Sequence, residues 1–146
     1  GVDAELHIHG SGDALSRLQN IEMDGLKVTQ AMPQDELASL LSTYDIGLLP
    51  MPENKIWNLA SPLKRSEYLA SGMVVCGIDH DGHQISSSGN WLHLSTQKEF
   101  IASTVSWIKS LNRESLEVLQ RESRSYAEGN LSWTHSVDAL EAIILS

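Results

Sequence analysis

The amino-acid sequence predicts a doubly wound α/β fold, a parallel sheet between helices in a three-layer sandwich, on three observations. Short apolar runs alternate with amphipathic stretches along the chain, as strands alternate with helices. Glycines stand where an expected strand gives way to a helix, or a helix to a strand. Met73-Val74-Val75-Cys76-Gly77-Ile78 is a continuous apolar strand, the pattern of a parallel strand covered on both faces. The size agrees: 146 residues, 41% hydrophobic and 20% charged, suit one domain over residues 1–146. A chain of this length hides ~68–70% of its unfolded surface without a disulfide, and its single cysteine, Cys76, has no partner for one.

The elements follow in order. Glu5-Leu6-His7-Ile8-His9 alternates like a strand, Gly10-Ser11-Gly12-Asp13 turns tightly, and Ala14 to Leu18 starts a helix. Leu26 to Thr29 is the second strand, and Glu36 to Leu41 is helical after the breaker Pro33. Asp45 to Leu49 is a short apolar strand closed by Pro50, followed by an irregular stretch from Met51 to Ala60. Ser61 and Pro62 open a helix that runs to Ser71 and stops at Gly72. Trp91 to Leu94 adds an edge strand. Thr96 and Glu99 form a capping box ahead of a helix with Ile101, Val105, Ile108 and Leu111 on its inner side. Arg113 to Glu128 is a charged, mostly solvated helix. Ser132 caps a last one with Val137, Leu140 and Ile144 facing inward. Trp107 and Trp133 take core positions, and Cys76 packs inside its strand.

Composition excludes several function classes. A net charge of −9 argues against nucleic-acid binding, which needs many cationic contacts to phosphate. No apolar run approaches the ~20 residues of a membrane-spanning helix, so no transmembrane segment is expected. The start is not that of a signal peptide, and a reducing cytoplasmic setting is expected.

In open parallel sheets the ligand crevice lies beyond the carboxyl ends of the strands. Here that means Gly10 to Asp13, Pro50 to Pro62 and Asp79 to His83, three loops expected to converge. The second loop leads into a helix opening with Ser61-Pro62-Leu63-Lys64-Arg65. A helix N-terminus carries about +0.5 of a charge and prefers acidic neighbours, so two cations there are at home only with an anion between them. Backbone amides plus Lys64 then form a phosphate site of the helix-terminus type. Glu67 lies three residues on, on the same face. A carboxylate accepts two hydroxyl hydrogens at once, which suits a ribose diol. The plainer alternative is a surface Lys64–Glu67 pair.

The string Pro62-Leu63-Lys64-Arg65-Ser66-Glu67-Tyr68-Leu69-Ala70-Ser71-Gly72 resembles the signature segment of the glycosyl transferases group 1 family, whose fold is the two-domain GT-B type. Leu6 to Gly12 is similar to that family's strand with Gly-x-Gly, Glu36 to Pro50 to its acid-leucine helix and following strand, and Leu131-Ser132-Trp133 to its closing helix. The resemblance implies a Rossmann-like, C-terminal donor-binding half, N-terminally incomplete here. The acceptor-binding N-terminal domain is absent from the sequence, and this piece is expected to be inactive alone. It further implies transfer of a hexose from a UDP- or GDP-sugar with retention of configuration, for polysaccharide or glycoconjugate assembly. The leaving diphosphate is then stabilised electrostatically, with no cofactor or metal. Lys64 and Glu67 are the implied catalytic residues. Lys64, with Ser61, Pro62 and Leu63, holds the diphosphate; Glu67 holds the ribose; Gly10 and Gly12 admit the nucleotide; Leu49 and Pro50 flank the base. Leu59 stands where many relatives carry a second glutamate, and Thr29 to Pro33 lacks a glycine often seen there. Many relatives associate peripherally with the inner face of a membrane, although no basic amphipathic helix here argues for it.

Other readings fare less well. Leu15 replaces the third glycine of a dinucleotide fingerprint, and Pro50 stands where a receiver domain needs aspartate. The rival from another class is a non-catalytic nucleotide-sugar or protein-interaction module on the same fold. His7, His9, His80, Asp81 and His83 are read as a strand face and a solvated turn rather than metal ligands, with His83 an alternative contact for the donor sugar. Trp57 is read as a hydrophobic plug under its loop, a sugar or base stack being the alternative.

Overall fold

The computed structural model describes residues 3–60, 62–85 and 87–145, with only the backbone of Ala139. Ser61, expected as a helix cap and phosphate contact, lies outside the described residues. The protein is mixed α/β with parallel sheets. It divides into two compact units, residues 1–40 and 41–146.

In the first unit β1 (Leu6–Gly10) pairs in parallel with β2 (Leu26–Gln30), with Leu6 opposite Leu26 and Gly10 opposite Gln30. The connection between them holds α1 (Leu15–Gln19), which packs on β2. Next comes α2 (Gln34–Leu41), with Asp35 and Glu36 in its first turn, where acidic groups meet the positive helix end. These are the elements read from the sequence, with boundaries moved by one or two residues.

The second unit is built on a three-stranded parallel sheet ordered β3 (Ile46–Leu49), β4 (Val74–Ile78), β5 (Leu92–Ser95). All five residues of the central β4 are buried, as its continuous apolar run requires. Around it lie α3 (Lys55–Leu59), α4 (Leu63–Ala70), α5 (Phe100–Ser110) and α6 (Arg113–Asn130). Helix α4 packs on β3 and β4, α6 on α4 and β4, and α5 on β5 and β4. The core comprises Leu49, Leu69, Val74, Val75, Trp91, Leu92 and Ala127. Helix α6 is largely solvated, as its charge predicts, and reaches the core through the small buried residues Ser123 and Ala127. Arg113 and Gln120 also tie it to the Asp45 carboxylate ahead of β3.

Helix α6 starts at a capping box: the Asn112 side chain accepts from Ser115 N at 2.8 Å, and Asn112 N donates to Ser115 Oγ at 3.0 Å. Asn112→Ala is expected to cost about 1 kcal/mol. It should appear as a lower urea midpoint with an unchanged slope, and Asn112→Asp should retain the stability.

Four expectations need correcting. The stretch from Met51 to Ala60 is not wholly irregular, because the Asn54 side chain accepts from Ile56 N and Trp57 N and so starts α3. Pro62 is itself the N-cap of α4, one position later than expected. Thr96 Oγ1 bonds the Glu99 carboxylate at 2.9 Å, yet α5 begins after Glu99 with no side-chain cap, so no capping box forms. The buried stripe of α5 passes through Thr104, Trp107 and Ile108, which turns Ile101 and Val105 outward, at 77% and 38% exposure.

The last helix, α7 (Trp133–Ile144), is capped by Ser132 Oγ as expected, but its apolar face is open. Val137, Leu140 and Ile144 are exposed, and Trp133, expected in the core, is 85% exposed. No described helix is long and apolar enough to cross a membrane.

Candidate functional site

At its carboxyl end β3 passes into Pro50, then α3, then α4. The rotation of α4 about its axis is fixed from within. Leu69 is fully buried in the core, Arg65 is buried beside it one turn earlier, and Tyr68 closes over Gly47. A Cβ at position 47 would run into the Tyr68 ring, so glycine there is what lets α4 lie down on β3. With that face inward, Leu63 and Lys64 project outward and Glu67 is half-buried.

The first turn of α4 is therefore open. Pro62 is extended, with φ −72° and ψ 110°, no side chain caps the helix, and its first turn contains no acidic residue. Leu63 is 71% exposed. Lys64 Nζ donates to Glu67 Oε2 at 2.8 Å, with both side chains reaching solvent. An exposed pair of this kind is worth under ~1 kcal/mol, so an anion and a diol can take over its two ends at small cost. Lys64 and Glu67 are thus brought together as the sequence spacing predicts.

Arg65 departs from expectation. It does not stand beside Lys64 facing an anion; its guanidinium turns inward and donates to Gly82 O at 3.1 Å and Gln84 O at 2.9 Å. Neighbouring helical positions point ~100° apart, and Arg65 shares its stripe with Leu69 four residues on. Burial lowers its pKa below the ordinary 12.5. One cation remains at the helix start where two were expected.

His80 to His83 is likewise not a solvated turn, although Asp81 within it is exposed. His80 is 5% exposed and His83 fully buried, with ring centroids 3.8 Å apart. The loops after β3 and β4 do meet: a Cβ on Gly82 would strike the Trp57 carbonyl oxygen and lie 2.7 Å from Ala60 O. Only glycine lets the two backbones approach so closely. Trp57 is 39% exposed rather than plugged beneath its loop.

The remaining expected contacts differ in kind. Leu49 is 1% exposed and belongs to the core, so of the pair it is Pro50, which is exposed, that presents surface to a ligand. Gly10 ends β1, and a Cβ there would have open space. Gly12 has φ +119°, a conformation that favours glycine. Both belong to the first unit. There His7 and His9 lie on one side of β1 with ring centroids 6.1 Å apart. His7 meets Glu5, and His9 bonds Thr29 Oγ1. Among the described residues no three His, Cys, Asp or Glu side chains close into a metal-ligand set. Cys76 is buried, which pushes its thiol up to about 12, so it is an unreactive packing group.

Sequence reasoning missed three features. The Asn54 cap was legible as asparagine just ahead of the α3 residues. The inward turn of Arg65 was legible as its spacing from Leu69. Nothing in the local sequence signals the burial of His80 and His83. Comparison with known proteins adds no family: no family model matches this chain, and no curated protein matches it.

Proposed function

We propose that this chain is the nucleotide-sugar donor-binding part of a retaining glycosyltransferase, a Rossmann-like three-layer sandwich forming one half of a GT-B fold. One observation supports this reading above the others. Lys64 and Glu67 share an exposed face at the uncapped start of an eight-residue helix, in the connection that runs from the carboxyl end of β3 to β4. A phosphate-bearing ligand finds amides, dipole and cation there together, and a carboxylate one turn deeper to accept from a ribose diol.

In this reading the amides of Leu63 and Lys64 and the Lys64 ammonium hold the diphosphate of a UDP- or GDP-sugar. Glu67 takes the ribose hydroxyls, and the chain at Pro50, just past the buried Leu49, borders the base. As the glycosidic bond breaks, negative charge grows on the leaving diphosphate oxygen. A preorganised dipole and ammonium stabilise that charge more than the ground state, which is what accelerates the step. The acceptor is held by a partner domain of the same protein, in a cytoplasmic setting.

Calorimetric titration of UDP, GDP and their sugars, with uridine and guanosine as comparators, tests the proposal. A diphosphate-dependent gain of at least about tenfold, or ~1.4 kcal/mol, is expected for one of the two bases. Equal affinity for nucleoside and nucleoside diphosphate, or no binding by the protein together with its acceptor half, would contradict it.

A further inference from the structure

The turn after β4 buries two histidines against an arginine, with ring nitrogens that the fold leaves unpaired. His83 Nδ1 bonds Ile78 O at 2.6 Å, while His83 Nε2, both ring nitrogens of His80 and Arg65 Nε have no partner among the described residues. The turn is closed by its own backbone, with His83 N and Gln84 N both donating to His80 O. Outside forces close it too: Arg65 grips Gly82 O and Gln84 O, and the α3 segment lies against Gly82 through Trp57 O and Ala60 O. The His83 ring rests over β4, where a Cβ on Gly77 would lie 3.4 Å from His83 Nδ1.

We propose that the His80–Gln84 turn is an acid-sensitive latch, closed on Arg65 and on the α3 segment while the His83 imidazole stacked on His80 is neutral, and released when His83 takes up a proton. The charges around it all favour release. Arg65 of α4 and His80 itself face His83, and both disfavour a further positive charge there. Tyr126 of α6 acts on Arg65 and not on the rings. Strand β4 meets His83 at Gly77, and the other side chains around Gly77 are Leu49 and Leu94, none of which can carry charge. The one charged residue of α3, Lys55, is exposed. The Asp79 carboxylate accepts from Gln84 Nε2, and Asp81 is exposed on the turn, so among the described residues no carboxylate pairs with either ring.

The direction of the effect follows from burial, which lowers the pKa of His83 below its ordinary 6.5. The open turn therefore holds a proton more tightly than the closed one. Closure is fully favoured above about 6.5 and loses ground as the pH falls below it. Opening frees the backbone of Gly82 from Ala60 and so loosens the segment that leads into α4. The latch does not depend on the donor reading.

Amide hydrogen exchange of the whole chain between pH 8 and 5 tests it. Protection of the His83 and Gln84 amides should fall as the pH drops below 6.5, by at most about tenfold per pH unit for one proton, while Val75, bonded to Trp91 O in the core sheet, stays protected. The imidazole carbon shifts of His83 should move over the same range. His83→Gln, which keeps a donor but does not titrate, should remove the pH dependence. Should that variant not fold, coincidence of the wild-type imidazole and amide transitions is the deciding reading. Protection that is flat with pH, loss of turn and core protection in step, or an imidazole transition displaced from the amide one would each overturn the proposal.

Discussion

Lys64→Ala is expected to weaken the binding of UDP or GDP by about 10–100-fold and to leave the affinity for uridine or guanosine unchanged. A hydrogen bond to a charged group contributes about 1.5–3 kcal/mol, and in the first turn of α4 the Lys64 ammonium is exposed whereas the Arg65 guanidinium is buried. Glu67→Ala should act at the other end of the ligand. It should lower affinity to a similar degree and erase discrimination between ribose and 2′-deoxyribose nucleotides. Neither change should shift the unfolding midpoint appreciably, because the Lys64–Glu67 pair is exposed and contributes under ~1 kcal/mol. On the proposed function, Lys64→Ala in a protein that also carries an acceptor domain should reduce turnover by about 10²–10³, the usual cost of losing one preorganised donor to a developing oxyanion. Calorimetry with the four ligands, followed by turnover assays, checks each part.

Leu69→Ala is expected to cost about 2–5 kcal/mol of stability. That is a large fraction of the ~5–15 kcal/mol by which a domain is ordinarily stable. Leu69 is fully buried and packs in the core with Leu49, Val74, Val75 and Trp91, so truncation leaves a cavity that the sheet cannot close. Because Leu69 also fixes the rotation of α4, ligand affinity should fall as well. Urea unfolding of Leu69→Ala beside Lys64→Ala separates the two roles: the first should lower both midpoint and affinity, the second affinity alone.

These expectations rest on elements of unequal legibility. The β4 strand was readable because six apolar residues in a row suit only a strand covered on both faces, and the glycine ending α4 was readable from its place after the helix. The rotation of α4 was half readable: Lys64 and Glu67 fell on one face as their spacing requires, whereas Arg65 was grouped with Lys64 by charge. Helical phase would have placed it with Leu69, where burial can be compensated by two backbone carbonyls. The same fault displaced α5. Apolar identity favoured Ile101 and Val105 for the inner side, but the stripe that packs passes through Thr104 and Ser103, which are small enough to approach the sheet.

Two further gaps lie beyond any local pattern. The apolar residues of α7 mark a face correctly as apolar, and a one-dimensional pattern says nothing of what covers it. His80 and His83 sit in a glycine-containing, acid-flanked stretch that reads as solvent-facing. Their burial arises from the close approach of Gly82 to the α3 segment, a contact between residues more than twenty positions apart. The parallel pairing was legible from the alternation of strands and helices, and it is present as two separate ladders, β1–β2 and β3–β4–β5.

The most direct test of the central claim is a ¹⁵N amide map of the protein titrated with UDP and with GDP. Binding of one of them should shift the amides of Leu63 and Lys64 first and furthest, with the Glu67 amide following, and Lys64→Ala should move the same titration to about 10–100-fold higher ligand. Shifts that leave the start of α4 unchanged, or saturating binding at any other face of the molecule, would contradict the donor-site account.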